Sequence, residues 1–192
     1  MFALDIETLS VESTTVVLSI AMIHVGDQEQ PEDPTEFYHQ LLDSAITVKL
    51  SAKQQIKDGR IVTKDVVDWW NKQVLIAKQV SFIPHKNDLS VVDAIEKLRA
   101  WVVTKPDWKT APVWVRGSLD QPSVDSLCRQ YDIPQLFPYN SYRDARTAME
   151  IIYPKSKAGY VEVPGFDNAN VIKHIPAHDC AYDLLMLMRG DQ

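Results

Sequence analysis

The sequence predicts an α/β fold with a mixed sheet flanked by helices. Apolar, β-branched runs of strand length fall at residues 16–23 and 113–115, and residues 2–6 form a further apolar strand interrupted by Asp5. Segments with helix-start residues and helical apolar spacing fall between and after them, at residues 64–72, 91–103 and 178–188. A hairpin-rich start, then helices, then returning strands is the order of a mixed sheet. Hydrophobic residues make up 45% of the 192, so a chain of this length can bury a sizeable core. Residues 1–192 are read as one domain, without repeats or low-complexity tracts.

The first strand is Met1-Phe2-Ala3-Leu4-Asp5-Ile6-Glu7. Side chains alternate faces along a strand. Phe2, Leu4 and Ile6 therefore anchor a core, and Ala3, Asp5 and Glu7 share the other side. A polar stretch from Thr8 to Thr14 leads to the second strand, residues 16–23. A turn opened by Gly26 and Asp27 runs through Pro34, and residues 36–41 suggest a third strand. Short connections make these three an antiparallel meander.

The middle turns helical. Thr63 is the expected cap of residues 64–72, which hold Trp69-Trp70. Residues 74–80 suggest a second short helix. Ser90 caps residues 91–103, where Val92, Ile95, Leu98, Ala100 and Val102 sit at roughly helical spacing. Residues 106–112 form a loop, Val113-Trp114-Val115 a fourth strand, and Gly117 its end. Pro122 suits the first turn of a helix reaching Tyr131. Pro134 and Pro138 mark a loop, residues 139–143 a fifth strand and residues 145–152 a helix. Residues 155–175 carry Gly159, Pro164 and Gly165 and read as a long loop. Pro176 precedes the last helix, residues 178–188.

Lys and Arg number 20 against 26 Asp and Glu, a net charge of −6. Such a chain does not grip nucleic acid by general basic attraction. It can still reach phosphates through bound metal cations. No run approaches the roughly 20 apolar residues of a membrane span. The N-terminus lacks the basic-then-apolar pattern of an export signal. Cys128 and Cys180 have neither a disulfide-framework nor a zinc-site spacing. A reducing, cytoplasmic compartment is the expectation.

Asp5 and Glu7 on one strand face repel each other and lose solvation. A divalent cation offsets that, since Mg²⁺ takes hard oxygen ligands. An exposed edge strand with two solvated acids is the alternative, and the strand alone does not choose. Asp120 is either a helix cap near Pro122 or a ligand at the strand's carboxyl end, where open α/β sheets bind ligands. That position favours it over Asp125. Asp183 borders the apolar block Leu184, Leu185, Leu187 and Met188, where a lone acid is ordinarily a solvated face residue. His178 stands five residues before it. Helical positions five apart point about 140° apart, so the two serve one site only if His178 stands at or before the helix start. Asp179 needs no chemical role, because the helix dipole favours an acid there.

Asp-x-Glu at the N-terminus, Asp after a central strand and His-x-x-x-x-Asp opening the last helix form an ordered set. This set resembles the DEDDh 3′–5′ exonucleases of the RNase H-like superfamily. The similarity is strongest to the exonuclease A type of T-even phages. It runs through Asp5-Ile6-Glu7-Thr8, Thr63-Lys64-Asp65-Val66-Val67-Asp68-Trp69-Trp70, Trp114-Val115-Arg116-Gly117, Arg143-Asp144-Ala145-Arg146-Thr147 and His178-Asp179-Cys180-Ala181-Tyr182-Asp183.

The resemblance implies an RNase H-like fold with a central mixed five-stranded sheet. It implies a phosphodiesterase using Mg²⁺ or Mn²⁺ as a pair of ions. Asp5, Glu7, Asp120 and Asp183 would hold them, with Asp5 bridging and His178 as general base. Thr8 and Leu9 would meet the terminal nucleotide through backbone N–H groups and apolar packing. Trp69-Trp70 would wall the cleft, although adjacent tryptophans read equally as one core ring and one partly exposed ring. Arg116 and Arg143 are candidates for phosphate contact. The implied products are nucleoside 5′-monophosphates from a free 3′ end. DNA is the expected polymer. RNA is the alternative, since no residue can be assigned to read the 2′-OH. A binding module that has lost catalysis is the third reading, and the intact acid set argues against it. A phage-encoded enzyme working in the bacterial cytoplasm completes the implied picture.

Overall fold

In the computed structural model, which describes residues 1–27 and 29–191, strand β1 (Phe2–Thr8) lies at the centre of a five-stranded sheet. Gln28, in the polar turn after the second strand, and Gln192 lie outside the described residues. β2 (Val17–His24) pairs antiparallel with β1, and β3 (Ile46–Lys49) pairs antiparallel with β2. β4 (Val113–Val115) runs parallel to β1, and β5 (Tyr142–Asp144) runs parallel to β4. The order β3-β2-β1-β4-β5 is the mixed sheet expected of an RNase H-like fold.

The third strand is not residues 36–41. These lie in helix α1 (Pro34–Asp43). The Asp33 carboxylate caps it, accepting the Thr35 N–H at 2.9 Å and the Glu36 N–H at 2.8 Å. Pro34 suits the first helical turn. Phe37, Tyr38 and Leu41 then fall on one buried face. The local cap and the helical burial pattern outweigh the strand propensity of the aromatic pair. The β-branched stretch Ile46-Thr47-Val48 supplies β3 instead, so a helix rather than a tight turn joins β2 to β3.

The remaining helices are α2 (Ala52–Lys57), α3 (Lys64–Asn71), α4 (Leu75–Ala77), α5 (Val91–Val102), α6 (Asp120–Gln130), α7 (Ala145–Ile152) and α8 (Pro176–Arg189). α4 runs directly into a π-helical turn, Lys78–Phe82. Ser90 caps α5 by accepting the Asp93 N–H, as its position predicts. Thr63 occupies the cap position of α3, but its side chain makes no capping bond. Residues 155–175 are mainly irregular, with a 3₁₀ turn at Asn168–Asn170. Pro176 is itself the first residue of α8, so the helix starts two residues earlier than the sequence suggests.

The alternation of β1 sorts its side chains between two layers. Phe2, Leu4 and Ile6 pack with Val91, Ile95 and Leu98 of α5 and Val124 and Leu127 of α6. Ala3 on the opposite face packs with Phe37 and Leu41 of α1, Met149 of α7 and Leu184 and Leu185 of α8. The two acids of β1 therefore face the α8 layer. A β-bulge between Glu7 and Thr8, with Glu7 opposite Ser19 and Thr8 opposite Val17, shifts the register where β1 leaves the sheet. No helix among the described residues is long and apolar enough to cross a membrane. Cys128 and Cys180 are free and buried.

Candidate active site

The carboxyl ends of β1 and β4 meet the first turns of α8 at an acidic cavity of about 220 Å³. Asp5, Ile6, Glu7, Arg116, Tyr160, His174, Asp179, Tyr182 and Asp183 line it. The Asp5 Oδ2 atom is buried and has no hydrogen-bond partner. Burial pushes the Asp5 carboxyl well above its ordinary range, and the charges of Asp120, Asp179, Glu7 and Asp183 add to this. Burial, then Asp179 and Asp120, do the same to Glu7. Asp120 is pushed up to about 7, mainly by burial and then by Asp183, against the hydrogen bond it accepts from the Arg116 N–H. That N–H lies 3.2 Å from Asp120 Oδ2. Asp120 opens α6 but caps nothing: Leu119 holds the cap position, without a capping bond. Asp125 stands apart from this ring, its carboxylate facing Gln121.

α8 contributes two acids, because residues four apart lie on one helix face. Asp179 joins Asp183 on that face and is pushed up to about 7 by burial and the Asp183 charge. Like charges at this spacing destabilise a helix. Arg116 supplies the compensating cation. Its Nε donates to both oxygens of Asp183, at 2.9 and 3.2 Å, and its Nη2 lies 2.9 Å from Oδ1. Nη2 also donates to the Gly159 carbonyl at 3.1 Å, and the guanidinium lies 4.3 Å over the Tyr160 ring. The remaining nitrogen, Nη1, is buried without a partner.

Among the described residues, one group of ligand atoms is close enough to hold a metal ion. Glu7, His174 and Asp179 each offer an atom, all within 4.8 Å of one another. His174 sits in the left-handed region at φ 64°, uncommon for a non-glycine residue. Its N–H donates to Asp179 Oδ2 at 2.9 Å, and its Nδ1 lies 4.0 Å from Glu7 Oε1. Its ring meets the Trp69 ring edge-on, with centroids 4.6 Å apart.

A second, largely apolar groove of about 450 Å³ adjoins the cavity at Ile6 and Glu7. Val11, Val66, Trp69 and Leu119 supply its apolar walls. Acidic ring and apolar groove thus share one strand end.

Residues 1–181 match the family described as the 3′–5′ exoribonuclease Rv2179c-like domain. The chain belongs to this family. It is also 28% identical over 202 residues to an exodeoxyribonuclease of Enterobacteria phage T4, covering 97% of this chain and 86% of that relative.

The structure separates the sequence-derived site residues into those it brings together and those it does not. Asp5, Glu7, Asp120 and Asp183 share one ring of mutually repelling carboxylates. His178 does not line the cavity. As the third residue of α8 it points elsewhere, its Nδ1 accepting from the Tyr38 hydroxyl at 2.7 Å and the Ile172 N–H at 3.3 Å. Trp69 is 38% exposed in the groove, whereas Trp70 is fully buried. Trp70 stacks on Phe82 and donates its indole N–H to the Thr8 carbonyl at 2.9 Å. It therefore supports β1 from within the core and does not wall the cleft.

Thr8 lines the groove, but Leu9 packs in a buried cluster and spends its N–H on the Val16 carbonyl at 3.0 Å. Arg143 donates to the Asn140 and Tyr142 carbonyls and is absent from the cavity lining. Asp144 caps α7 and accepts the Gly117 N–H at 2.6 Å, which pins the turn before Asp120. The sequence reading missed His174 and set Asp179 aside. A signal was present: His174 and Asp179 repeat the five-residue spacing of His178 and Asp183 one helical turn earlier.

Proposed function

We propose that the protein is a divalent-metal-dependent 3′–5′ exonuclease that releases nucleoside 5′-monophosphates from the 3′ end of DNA. The observation that carries this reading is the buried, unpartnered Oδ2 of Asp5 within a ring of acids held above their ordinary pKa. Such a ring is unstable unless protonated or filled by cations. Its donors are hard carboxylate oxygens with one imidazole beside them, which suits Mg²⁺ or Mn²⁺. Asp5, Glu7, Asp120 and Asp179 would hold a pair of such ions, with His174 beside them to take the proton of the attacking water and Asp183 engaged by Arg116. Bound there, the ions supply an activated water and neutralise charge on the departing 3′ oxygen.

The chain's own groups do the rest. The apolar groove of Val11, Val66, Trp69 and Leu119 offers the terminal base a stacking surface. Arg116 lines the cavity and is the cation placed to meet a phosphate oxygen. Thr8 borders the groove where the terminal sugar would lie. The similarity to a phage T4 exodeoxyribonuclease favours DNA, and the 3′–5′ exoribonuclease description of the family keeps RNA as the second reading.

Matched DNA and RNA oligonucleotides labelled at the 5′ end test the proposal. In Mg²⁺ or Mn²⁺, stepwise shortening from the 3′ end and 5′-monophosphate products are expected. Excess chelator and Asp5→Ala each abolish them. Activity that survives both sinks the metal-dependent reading, and faster RNA cleavage reverses the substrate order.

A further inference from the structure

A phosphodiester joins two nucleosides, so a site that cuts one has a base on each side of the scissile phosphate. The apolar groove with Trp69 opens off the acidic cavity at Ile6 and Glu7, and the exonuclease reading above gives it to the terminal base. We propose that Tyr160, on the cavity wall beside Arg116, is the stacking platform for the penultimate base. This inference rests on that exonuclease reading.

An exposed aromatic ring on its own needs no explanation. Tyr160 differs in being built into place at the cavity. Lys157 and Tyr160 exchange backbone hydrogen bonds, each N–H donating to the other's carbonyl at 3.0 Å. Between them Ala158 and Gly159 hold φ at 52° and 71°. Two left-handed residues inside such a pair make the tight hairpin turn of type I′. Glycine is required at the second of them, since a Cβ on Gly159 would lie 2.8 Å from Arg146 Cα on α7. Ala158 has no such freedom and holds its left-handed backbone under strain. Gly159 and Val161 on either side are buried, while Tyr160 is 48% exposed. The turn is thus seated on α7 and presents one aromatic ring to the cavity.

The position of that ring suits a base. The Arg116 guanidinium lies 4.3 Å over it, and Arg116 Nη2 donates to the Gly159 carbonyl at 3.1 Å. Asp183 holds the same guanidinium through both oxygens, so ring and cation are fixed relative to each other. With the guanidinium over one face, the ring exposes its edges and its other face. Tyr160 lines the cavity and not the groove, and Trp69 lines the groove and not the cavity. A strand laid from one ring to the other passes its scissile phosphate by Asp5, Glu7 and Arg116. Stacking on an aromatic ring accepts every base, because every base has a π-face. The subsite therefore grips the penultimate nucleotide without reading its sequence.

The test is kcat/KM in Mn²⁺ for release of the first 3′ nucleotide from two oligonucleotides. One is intact and the other has an abasic residue at the penultimate position, both in whichever polymer the wild type shortens faster. Stacking of one base is worth roughly 5- to 150-fold. Wild type should lose a factor in that range on the abasic substrate. Tyr160→Leu should lose as much on the intact substrate and, with the ring gone, little further on the abasic one. Tyr160→Phe, which keeps the ring, should retain the wild-type difference between the two substrates. Circular dichroism checks the fold, and Tyr160→Met supplies the same comparison if leucine disturbs the turn. A wild type indifferent to the missing base overturns the subsite. So does a Tyr160→Leu that slows both substrates equally, the mark of a merely structural ring. A wild-type protein that shortens neither DNA nor RNA overturns the exonuclease reading itself, and the subsite falls with it.

Discussion

Asp120→Asn, followed against pH in chelator, measures the electrostatic strain in the acidic ring. Asp120 is 5% exposed, and its folded-state pKa is pushed from 3.8 to about 7. The folded protein therefore holds a proton that the unfolded chain releases near pH 4. Stability falls as pH rises between these values, because the native state binds more protons than the unfolded state. At about 1.4 kcal/mol per unit, ionising Asp120 costs between about 1 and 2 kcal/mol at pH 5 and about 4 kcal/mol at pH 8. Asparagine stays neutral and keeps an oxygen for the Arg116 N–H.

The variant's advantage over wild type should therefore grow from near zero at pH 4 to about 4 kcal/mol at pH 8. For a chain of this length that is roughly 8–16 °C in Tm. Relief of the charges on Asp5 and Glu7, both raised partly by Asp120, adds to it. His24, His174 and His178 have pKa values lowered chiefly by burial, so their titration adds stability as pH rises toward the ordinary histidine range. That opposing slope is common to both proteins and cancels in the difference. Differential scanning calorimetry at pH 4, 5, 6, 7 and 8 supplies the comparison. A difference that is flat with pH, or a variant less stable than wild type at pH 8, refutes the view that the ring is strained by unneutralised charge.

Four further outcomes follow from the packing. Trp70→Ala should cost about 3–5 kcal/mol in urea denaturation, because it empties a fully buried site. Trp69→Ala should cost far less stability but weaken oligonucleotide binding, read by fluorescence anisotropy, by about 1–3 kcal/mol. Arg116→Gln leaves Asp183 without its cation and should destabilise the chelated protein by about 3–5 kcal/mol, with a larger Tm gain on adding Mn²⁺ than wild type shows. Asp33→Ala removes the α1 cap and should cost about 1 kcal/mol without changing the metal response.

Much of the fold was legible because its causes are local. Alternation along β1 separated Phe2, Leu4 and Ile6 from Asp5 and Glu7 before any partner strand was known. Ser90 before an apolar run of helical spacing marked α5. Local reading failed where one short signal opposed another. Residues 36–41 are aromatic enough for a strand, yet Asp33 and Pro34 ahead of them start a helix. The tryptophan pair illustrates the opposite limit. Its position on α3 was readable, but only the packing of α3 against β1 and the π-helical turn determines that Trp70 is the core ring and Trp69 the exposed one.

The sequence by itself determined the kinds of groups available and their order: two acids on one strand, a third after a second strand, and histidines with aspartates around the last helix. Covalent order and strand periodicity are properties of the chain alone. Only the tertiary structure decided which of those groups converge. Spacing along the chain becomes direction in space only once a helix has a starting point, and α8 starts at Pro176. That boundary sends His178 to Tyr38, brings Asp179 beside Asp183, and leaves His174 on the loop facing Glu7. The sequence shows two histidines with equal claims by spacing; the phase of one helix separates them.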